Sequence, residues 1–184
     1  MTESRTQSEL WVFGYGSLMW RPGFAFEAAA PGLLKGAHRA LCVYSEFHRG
    51  TKEQRGLVLG LDRGGACRGV TYRVALGAED ETIAYLRERE QVTAVYVEAY
   101  RKVRLLDGSG EVVTALTYLV DCNHAQYAGA LPLEEQLRLV RGGKGQSGEN
   151  VEYVLNTVRH LEEEGVHDPL LSALAARLGK GPGA

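Results

Sequence analysis

Short segments with strand-like patterns, bounded by glycine, follow one another through the first two thirds of the chain. Glycine accounts for 23 of the 184 residues, and its backbone freedom suits tight turns between short strands, as at residues 62–65 and 107–110. The predicted strands are residues 10–13, 33–44, 56–61, 68–74, 96–106 and 112–120. Such strands must bury their apolar faces against one another or against helices, so we expect a curled sheet or a small barrel.

Helical patterns occupy the last third of the chain and one segment between the strands. The last helix begins at Asp168-Pro169, an N-cap residue followed by proline in the first turn. The predicted helices are residues 81–90, 133–141, 149–164 and a short one after Asp168, with a loop at residues 142–148. No repeat or long linker divides the sequence. We therefore predict a single α+β domain at residues 10–180, preceded by a loose tail at residues 1–9.

The charge and cysteine patterns exclude several classes of function. A net charge of −2 gives no electrostatic basis for binding nucleic acid or an anionic membrane. Cys42, Cys67 and Cys122 are odd in number and far apart, which favours reduced thiols over disulfides or a zinc site. The histidines lack metal-ligand spacing, and we find neither a signal-peptide core nor a membrane-spanning stretch. We therefore expect a cytoplasmic protein without a bound metal.

One glutamate lies on the side of a predicted helix that should face the core. Ile83 and Leu86 mark the inner face of this helix, and Glu90 follows Leu86 by four residues, on the same side. A carboxylate there is costly unless something uses or satisfies it, so Glu90 is a candidate general base. The alternative is a helical ion pair with Arg87, three residues away, that simply neutralises the carboxylate.

The first predicted strand runs directly into Gly14-Tyr15-Gly16-Ser17-Leu18, the glycine turn. Glycines let the backbone turn sharply and aim several N–H groups at one point, which suits a carboxylate or an oxyanion. A plain tight turn is the alternative. The third glycine and the immediate helix of a dinucleotide fingerprint are lacking, so this turn does not indicate a nucleotide cofactor.

His48 and Arg49 place two potential cations beside another turn. An exposed turn is the simpler interpretation. A contact between one of these side chains and a substrate carboxylate is the functional one, because a cationic donor forms a strong hydrogen bond to a carboxylate. The residues alone leave both interpretations open.

Several segments, taken in order, resemble the ChaC-like gamma-glutamylcyclotransferases. The similarity covers roughly residues 10–178, and the first motif is specific when it occurs together with the Arg-Glu motif. The matching segments are residues 11–22 (WVFGYGSLMWRP), 48–51 (HRGT), 56–59 (GLVL) and 69–73 (GVTYR), Arg89-Glu90 with Tyr96, and Asn150 with Tyr153.

This resemblance implies a mixed small β-barrel with flanking helices and a lyase that cleaves glutathione into 5-oxoproline and cysteinylglycine. It implies that Glu90 is the catalytic acid and base and that the backbone of the glycine turn, Gly14 to Leu18, holds the gamma-glutamyl group. Tyr96 would contact the substrate or Glu90. The α-amine of the substrate is itself the nucleophile, so neither a cofactor nor a protein nucleophile is required.

Two other functions remain compatible with the sequence. The same fold would serve a cyclotransferase that acts on other gamma-glutamyl amines or amino acids. It would also serve a non-catalytic module that binds gamma-glutamyl compounds, with Glu90 held in an ion pair. The sequence leaves the oligomeric state open.

Overall fold

The computed structural model describes residues 9–91 and 93–179. Its strands are β1 (Trp11–Gly14), β2 (Phe26–Ser45), β3 (Gly56–Val74), β4 (Tyr96–Leu105), β5 (Val112–Val120), β6 (Lys144–Gly145) and β7 (Gly148–Glu149). Its helices are α1 (Glu79–Glu90), α2 (Leu133–Gly142), α3 (Asn150–Glu163) and α4 (Pro169–Leu178), and a 3₁₀ turn covers Ser17–Met19. The tail predicted for residues 1–9 lies outside the described residues except for Glu9, as does residue 180.

Two long antiparallel strands, β2 and β3, form the largest part of the sheet and pair along nearly their whole length. β2 begins at Phe26, earlier than the predicted strand. The turn predicted at residues 62–65 is wrong, because β3 continues through it and joins the two strands predicted on either side. Gly64 and Gly65 adopt positive φ angles of 89° and 70° within an irregular stretch of the β2–β3 pairing, so they bend the strand without reversing it.

The sheet closes into a barrel in the strand order β1, β3, β2, β4, β5. β1 pairs antiparallel with β3 and parallel with β5, and this pairing joins the two ends of the sheet. β4 and β5 form the hairpin predicted around residues 107–110. The expected mixed small β-barrel with flanking helices is therefore confirmed.

The barrel and the C-terminal helices share one hydrophobic core. Its fully buried members include Leu34, Leu57 and Val103 from the strands, and Leu137, Leu161 and Leu174 from the helices. α4 begins as predicted, because the Asp168 carboxylate accepts a hydrogen bond from the N–H of Leu171 at 3.1 Å. The predicted loop at residues 142–148 contains the small β6–β7 hairpin. Within the described ranges, no helix is long and apolar enough to cross a membrane.

Two side chains three residues apart attach α3 to β3. Asn150, at the start of α3, is fully buried and exchanges two hydrogen bonds of 2.7 Å with the backbone N–H and carbonyl of Leu57. The hydroxyl of Tyr153 accepts a hydrogen bond from the N–H of Leu59 at 3.1 Å. These contacts fix the position of β3 around Leu57 and Leu59.

Candidate active site

A cavity of about 110 Å³ lies where the end of β1, the glycine turn, the end of α1 and the start of α3 come together. The strands β3, β4 and β5 complete its wall. The lining residues are Phe13, Tyr15, Gly16, Ser17, Leu18, Leu59, Glu90, Tyr96, Tyr118 and Tyr153. Residues distant in sequence therefore meet around one small space.

The structure brings most of the sequence-predicted site residues together in this cavity. Glu90, Tyr96 and four residues of the glycine turn, numbers 15–18, contribute to its lining. Gly14 does not line the cavity and lies behind the turn. A Cβ atom on Gly14 would come within 2.9 Å of the Leu18 Cβ, so glycine there permits the turn to fold back closely on β1.

Arg89 connects the end of α1 to the glycine turn. Its Nε lies 3.3 Å from the Glu90 carboxylate, and its Nη2 donates a hydrogen bond of 2.7 Å to the hydroxyl of Ser17. Its Nη1 donates hydrogen bonds of 2.8 Å to the Tyr85 hydroxyl and to the Arg21 carbonyl. One guanidinium thus contacts both the candidate base and the turn, and it keeps them next to each other.

Arg87 does not neutralise Glu90. Its guanidinium forms a bidentate pair with Glu98 on β4, at distances of 2.8 and 3.0 Å. The alternative ion pair between Arg87 and Glu90 is therefore wrong. The inner face predicted for α1 is present, because Leu86 is fully buried and Ile83 packs against the same cluster.

Burial raises the pKa of Glu90 above its ordinary value of 4.5, and the neighbouring charge of Arg89 opposes part of this rise. The side chain is 19% exposed, so the carboxylate is largely withdrawn from solvent but still reachable from the cavity. A carboxylate in this state binds a proton more firmly than an exposed glutamate does. This property suits a group that must both accept and release a proton.

The backbone of the glycine turn offers free donors to the cavity. In the part of the chain that the structure describes, the N–H groups of Gly16, Ser17 and Leu18 make no hydrogen bond. The turn is held from behind by Arg39 on β2, whose Nε donates a hydrogen bond of 2.5 Å to the Tyr15 carbonyl. The Arg39 side chain is only 4% exposed, so this restraint is shielded from water. The donors are therefore available and fixed in direction.

Four tyrosines surround the cavity, and burial raises the pKa of each hydroxyl, so all of them stay neutral near pH 7. The hydroxyl of Tyr96 donates a hydrogen bond of 2.7 Å to the Leu59 carbonyl, so its proton is directed away from Glu90. The hydroxyl of Tyr118 is buried and has no close hydrogen-bond partner among the described residues, but it lies near the Glu98 carboxylate. An unpaired buried donor is costly. The Glu98 carboxylate, whose pKa Tyr118 helps to lower, offsets part of this cost.

Four of the lining residues carry weak signals in the sequence. Tyr153 belongs to a motif that resembles the family, but its spacing from Asn150 indicates only the start of a helix. Phe13, Leu59 and Tyr118 show nothing beyond the apolar pattern of a strand. Their place in the cavity follows from the closure of the barrel, which local patterns do not reveal.

No group of three or more histidine, cysteine, aspartate or glutamate side chains comes together as a metal-ligand set among residues 9–91 and 93–179. The three cysteines are unpaired thiols. The polar groups at the cavity are one carboxylate, one guanidinium, the Ser17 hydroxyl, tyrosine hydroxyls and backbone donors.

Comparison with known proteins gives consistent matches over nearly the whole chain. The family model described as ChaC-like protein matches residues 10–180. The glutathione-specific gamma-glutamylcyclotransferase of Escherichia coli (strain K12) is 32% identical over 174 residues, which cover 95% of this chain and 74% of that protein. The glutathione-specific gamma-glutamylcyclotransferase 1 of Homo sapiens is also 32% identical, over 92% of this chain and 78% of that protein.

A solved structure shares the fold. The crystal structure of a gamma-glutamyl cyclotransferase specific to glutathione from yeast superposes with a TM-score of 0.81, at 22% sequence identity. The match covers 94% of this chain and 96% of that one, so the architecture is common to both.

Proposed function

The chain belongs to the ChaC-like family, and we propose that it is a gamma-glutamylcyclotransferase that cleaves glutathione into 5-oxoproline and cysteinylglycine. One observation carries the proposal: Glu90 and the free N–H groups of the glycine turn line the same cavity. Arg89 touches both of them. This cavity supplies the two things that ring closure needs, which are a proton acceptor and donors for a developing negative charge.

The reaction joins the α-nitrogen of the gamma-glutamyl group to its own side-chain carbonyl carbon. A five-membered lactam forms, and the amide bond to cysteine breaks. At neutral pH the α-amine is largely an ammonium and cannot attack, so Glu90 accepts a proton from it. Glu90 then passes this proton to the departing nitrogen of cysteinylglycine. As the lactam forms, its nitrogen loses a second proton, which Glu90 relays in the same way, so the amine leaves as an ammonium. The raised pKa of Glu90 makes it effective in both directions.

The glycine turn binds the negative charge in this mechanism. The N–H groups of Gly16, Ser17 and Leu18 bind the α-carboxylate of the substrate or the oxyanion that develops on its γ-carbonyl. Loss of one preorganised oxyanion donor typically raises a barrier by about 3 kcal/mol. The small volume of the cavity holds the glutamyl chain in a pose that favours ring closure, which adds several kcal/mol in favourable cases.

The localisation and partners form part of the same proposal. Free Cys42, Cys67 and Cys122 are compatible with a reducing compartment, so we assign the protein to the cytoplasm, where glutathione is available in its reduced form. With a net charge of −2 we assign no nucleic-acid partner.

A single incubation tests the function. The purified protein is mixed with reduced glutathione, and in parallel with gamma-glutamyl-alanine, and products are separated by chromatography. We expect 5-oxoproline and cysteinylglycine in equal amounts from glutathione, and much less 5-oxoproline from the dipeptide. Equal rates would favour a general gamma-glutamyl cyclotransferase, and tight binding of glutathione without any lactam would favour a binding module.

The pH dependence of kcat/KM tests the protonation state of Glu90. Because the base must be ionised to accept a proton, kcat/KM should fall at acid pH as Glu90 becomes protonated. The midpoint of this fall, the acid limb of the profile, should lie above pH 4.5. Replacing Arg89 by methionine removes the charge that lowers the Glu90 pKa, so the limb should move to still higher pH. The matched control Arg87→Met should leave the limb in place, since Arg87 pairs with Glu98. A limb at or below 4.5 would argue against Glu90 as the base.

A further inference from the structure

A second and larger groove, of about 510 Å³, opens beside the cavity. Ser17 and Tyr153 line both spaces, so the two are adjacent at the mouth of the cavity. The groove runs between the segment after the glycine turn, the turn after β2, the β6–β7 hairpin and α3. A substrate whose glutamyl end enters the cavity can extend the rest of its chain into this adjacent groove.

The charged side chains that line the groove are all basic. They are Arg21, His48, Arg49, Arg159 and His160. Arg159 and His160 both face Glu163, at 4.0 and 3.0 Å, so Glu163 already balances part of the Arg159 charge. The groove therefore presents a positive surface next to the cavity, which favours an anionic group on the ligand.

Arg49 lies against Tyr153, which belongs to the shared wall of the two spaces. Its guanidinium carbon lies 5.4 Å from the centre of the Tyr153 ring, and its Nη1 donates a hydrogen bond of 3.2 Å to the Glu149 carbonyl. Its backbone N–H is bonded to the Ser45 hydroxyl at 2.9 Å. Within the described residues, no carboxylate lies within 4.0 Å of this guanidinium. Arg49 Nη1 and the Glu152 carboxylate lie 3.3 and 3.6 Å from the Cβ position of Gly148, so Glu152 is nearby. Arg49 is thus held in place without a direct ion pair among the described residues.

We propose that this groove is the binding site for the cysteinylglycine part of the substrate and that Arg49 binds its terminal carboxylate. The inference rests on the proposed function and names the leaving group that the site selects. Arginine suits this role because its planar fork forms two parallel hydrogen bonds to a carboxylate. Contacts to Tyr153 and Glu149 fix the guanidinium before the ligand arrives, which lowers the entropic cost of binding.

The groove accounts for a preference between substrates. A gamma-glutamyl amine has no carboxylate at this position, and it leaves the Arg49 charge unpaired in a partly closed groove. Sites that are built to bind a polar group reject analogues that lack it much more strongly than apolar pockets reject a missing methylene group. Arg49 is therefore the residue that sets the requirement for a carboxylate on the leaving group.

The test compares glutathione with its analogue in which the glycine carboxylate is an amide. For the wild-type protein we expect kcat/KM to be about 10- to 100-fold higher for glutathione, as a charge-assisted hydrogen bond contributes that factor. Arg49→Met should lower kcat/KM for glutathione to the level of the amide and leave the amide unchanged. Arg159→Met is the matched control, because Arg159 lines the same groove but faces Glu163, and it should keep the preference.

The outcomes separate this proposal from the proposed function. Equal kcat/KM values for the two substrates in the wild-type protein overturn the carboxylate site without any question of folding. Loss of the preference in Arg21→Met but not in Arg49→Met overturns the assignment to Arg49.

If neither substrate yields a lactam, the proposed function fails. Calorimetry then still shows whether the groove binds the terminal carboxylate. Glu90→Gln protein should bind glutathione more tightly than the amide, and addition of Arg49→Met should remove that difference. Equal dissociation constants would overturn the site.

Discussion

Replacing Glu90 by glutamine should lower the release of 5-oxoproline from glutathione by about 10²- to 10⁴-fold, the usual contribution of a general acid or base. Glutamine keeps the size and much of the polarity of the side chain but cannot accept the ammonium proton. The fold should be retained, since the Arg89 contacts to Ser17 and Tyr85 do not depend on the carboxylate. Chromatography of the lactam, together with thermal unfolding of the variant, measures both effects.

The same substitution should not reduce stability at neutral pH. Burial raises the pKa of Glu90, so the folded state binds the proton more tightly than the unfolded state does. The resulting stabilisation is present below the unfolded pKa and is lost as the pH rises through the folded pKa. Above the folded pKa the wild-type protein has lost it, and glutamine there removes the cost of a buried charge.

Glu88→Gln is the matched control for this experiment. Glu88 lies on the same helix but is exposed and does not line the cavity, so its replacement should leave turnover unchanged. Near-normal lactam release by Glu90→Gln would refute its role as the base. An equal loss in both variants would instead indicate a general effect of charge on α1.

Replacing Arg39 by methionine should lower the free energy of unfolding by about 3 kcal/mol and reduce kcat/KM for glutathione as well. The buried guanidinium donates to the carbonyls of Tyr15 and Arg68, at 2.5 and 2.7 Å, and lies 3.8 Å from the Asp168 carboxylate. Methionine would leave both carbonyls without these donors. It would also release the glycine turn from its restraint, so the N–H groups would no longer be fixed in direction.

Denaturant unfolding and steady-state kinetics at a temperature where the variant stays folded separate the two consequences of Arg39→Met. Arg63→Met serves as the control, because Arg63 lies on the adjacent strand β3 and is exposed. It should change the free energy of unfolding by no more than about 0.5 kcal/mol and should leave kcat/KM for glutathione nearly unchanged. Unchanged stability in Arg39→Met would show that the turn holds its shape without this arginine.

The sequence supports prediction of the barrel strands because their alternation is local, but it does not distinguish a turn from a bend. Gly64 and Gly65 adopt positive φ angles, and such angles occur both in turns that reverse the chain and in bulges within one strand. The pairing partner decides between these outcomes, and here β2 continues alongside β3 on both sides of the two glycines. That information lies in residues 26–45, far from the glycines.

The candidate base is predictable from helical spacing, whereas its charged neighbour is not. On a helix, residues three apart face each other and adjacent residues do not, so spacing favours Arg87 over Arg89 as the partner of Glu90. Glu90 is the last residue of α1, where the chain leaves the helix, and this permits a contact with its immediate neighbour. The pairing of Arg87 with Glu98 requires β4 beside α1, which only the tertiary structure provides.

Binding of the substrate by the glycine turn is tested by a titration of Glu90→Gln protein with glutathione, followed by amide proton–nitrogen NMR. We predict that the signals of Gly16, Ser17 and Leu18 shift in a saturable way, because their N–H groups acquire an acceptor. The amide of Gly108, in the distant β4–β5 turn, should not move. Saturable binding that leaves the three turn amides unshifted would rule out binding of the substrate by this turn.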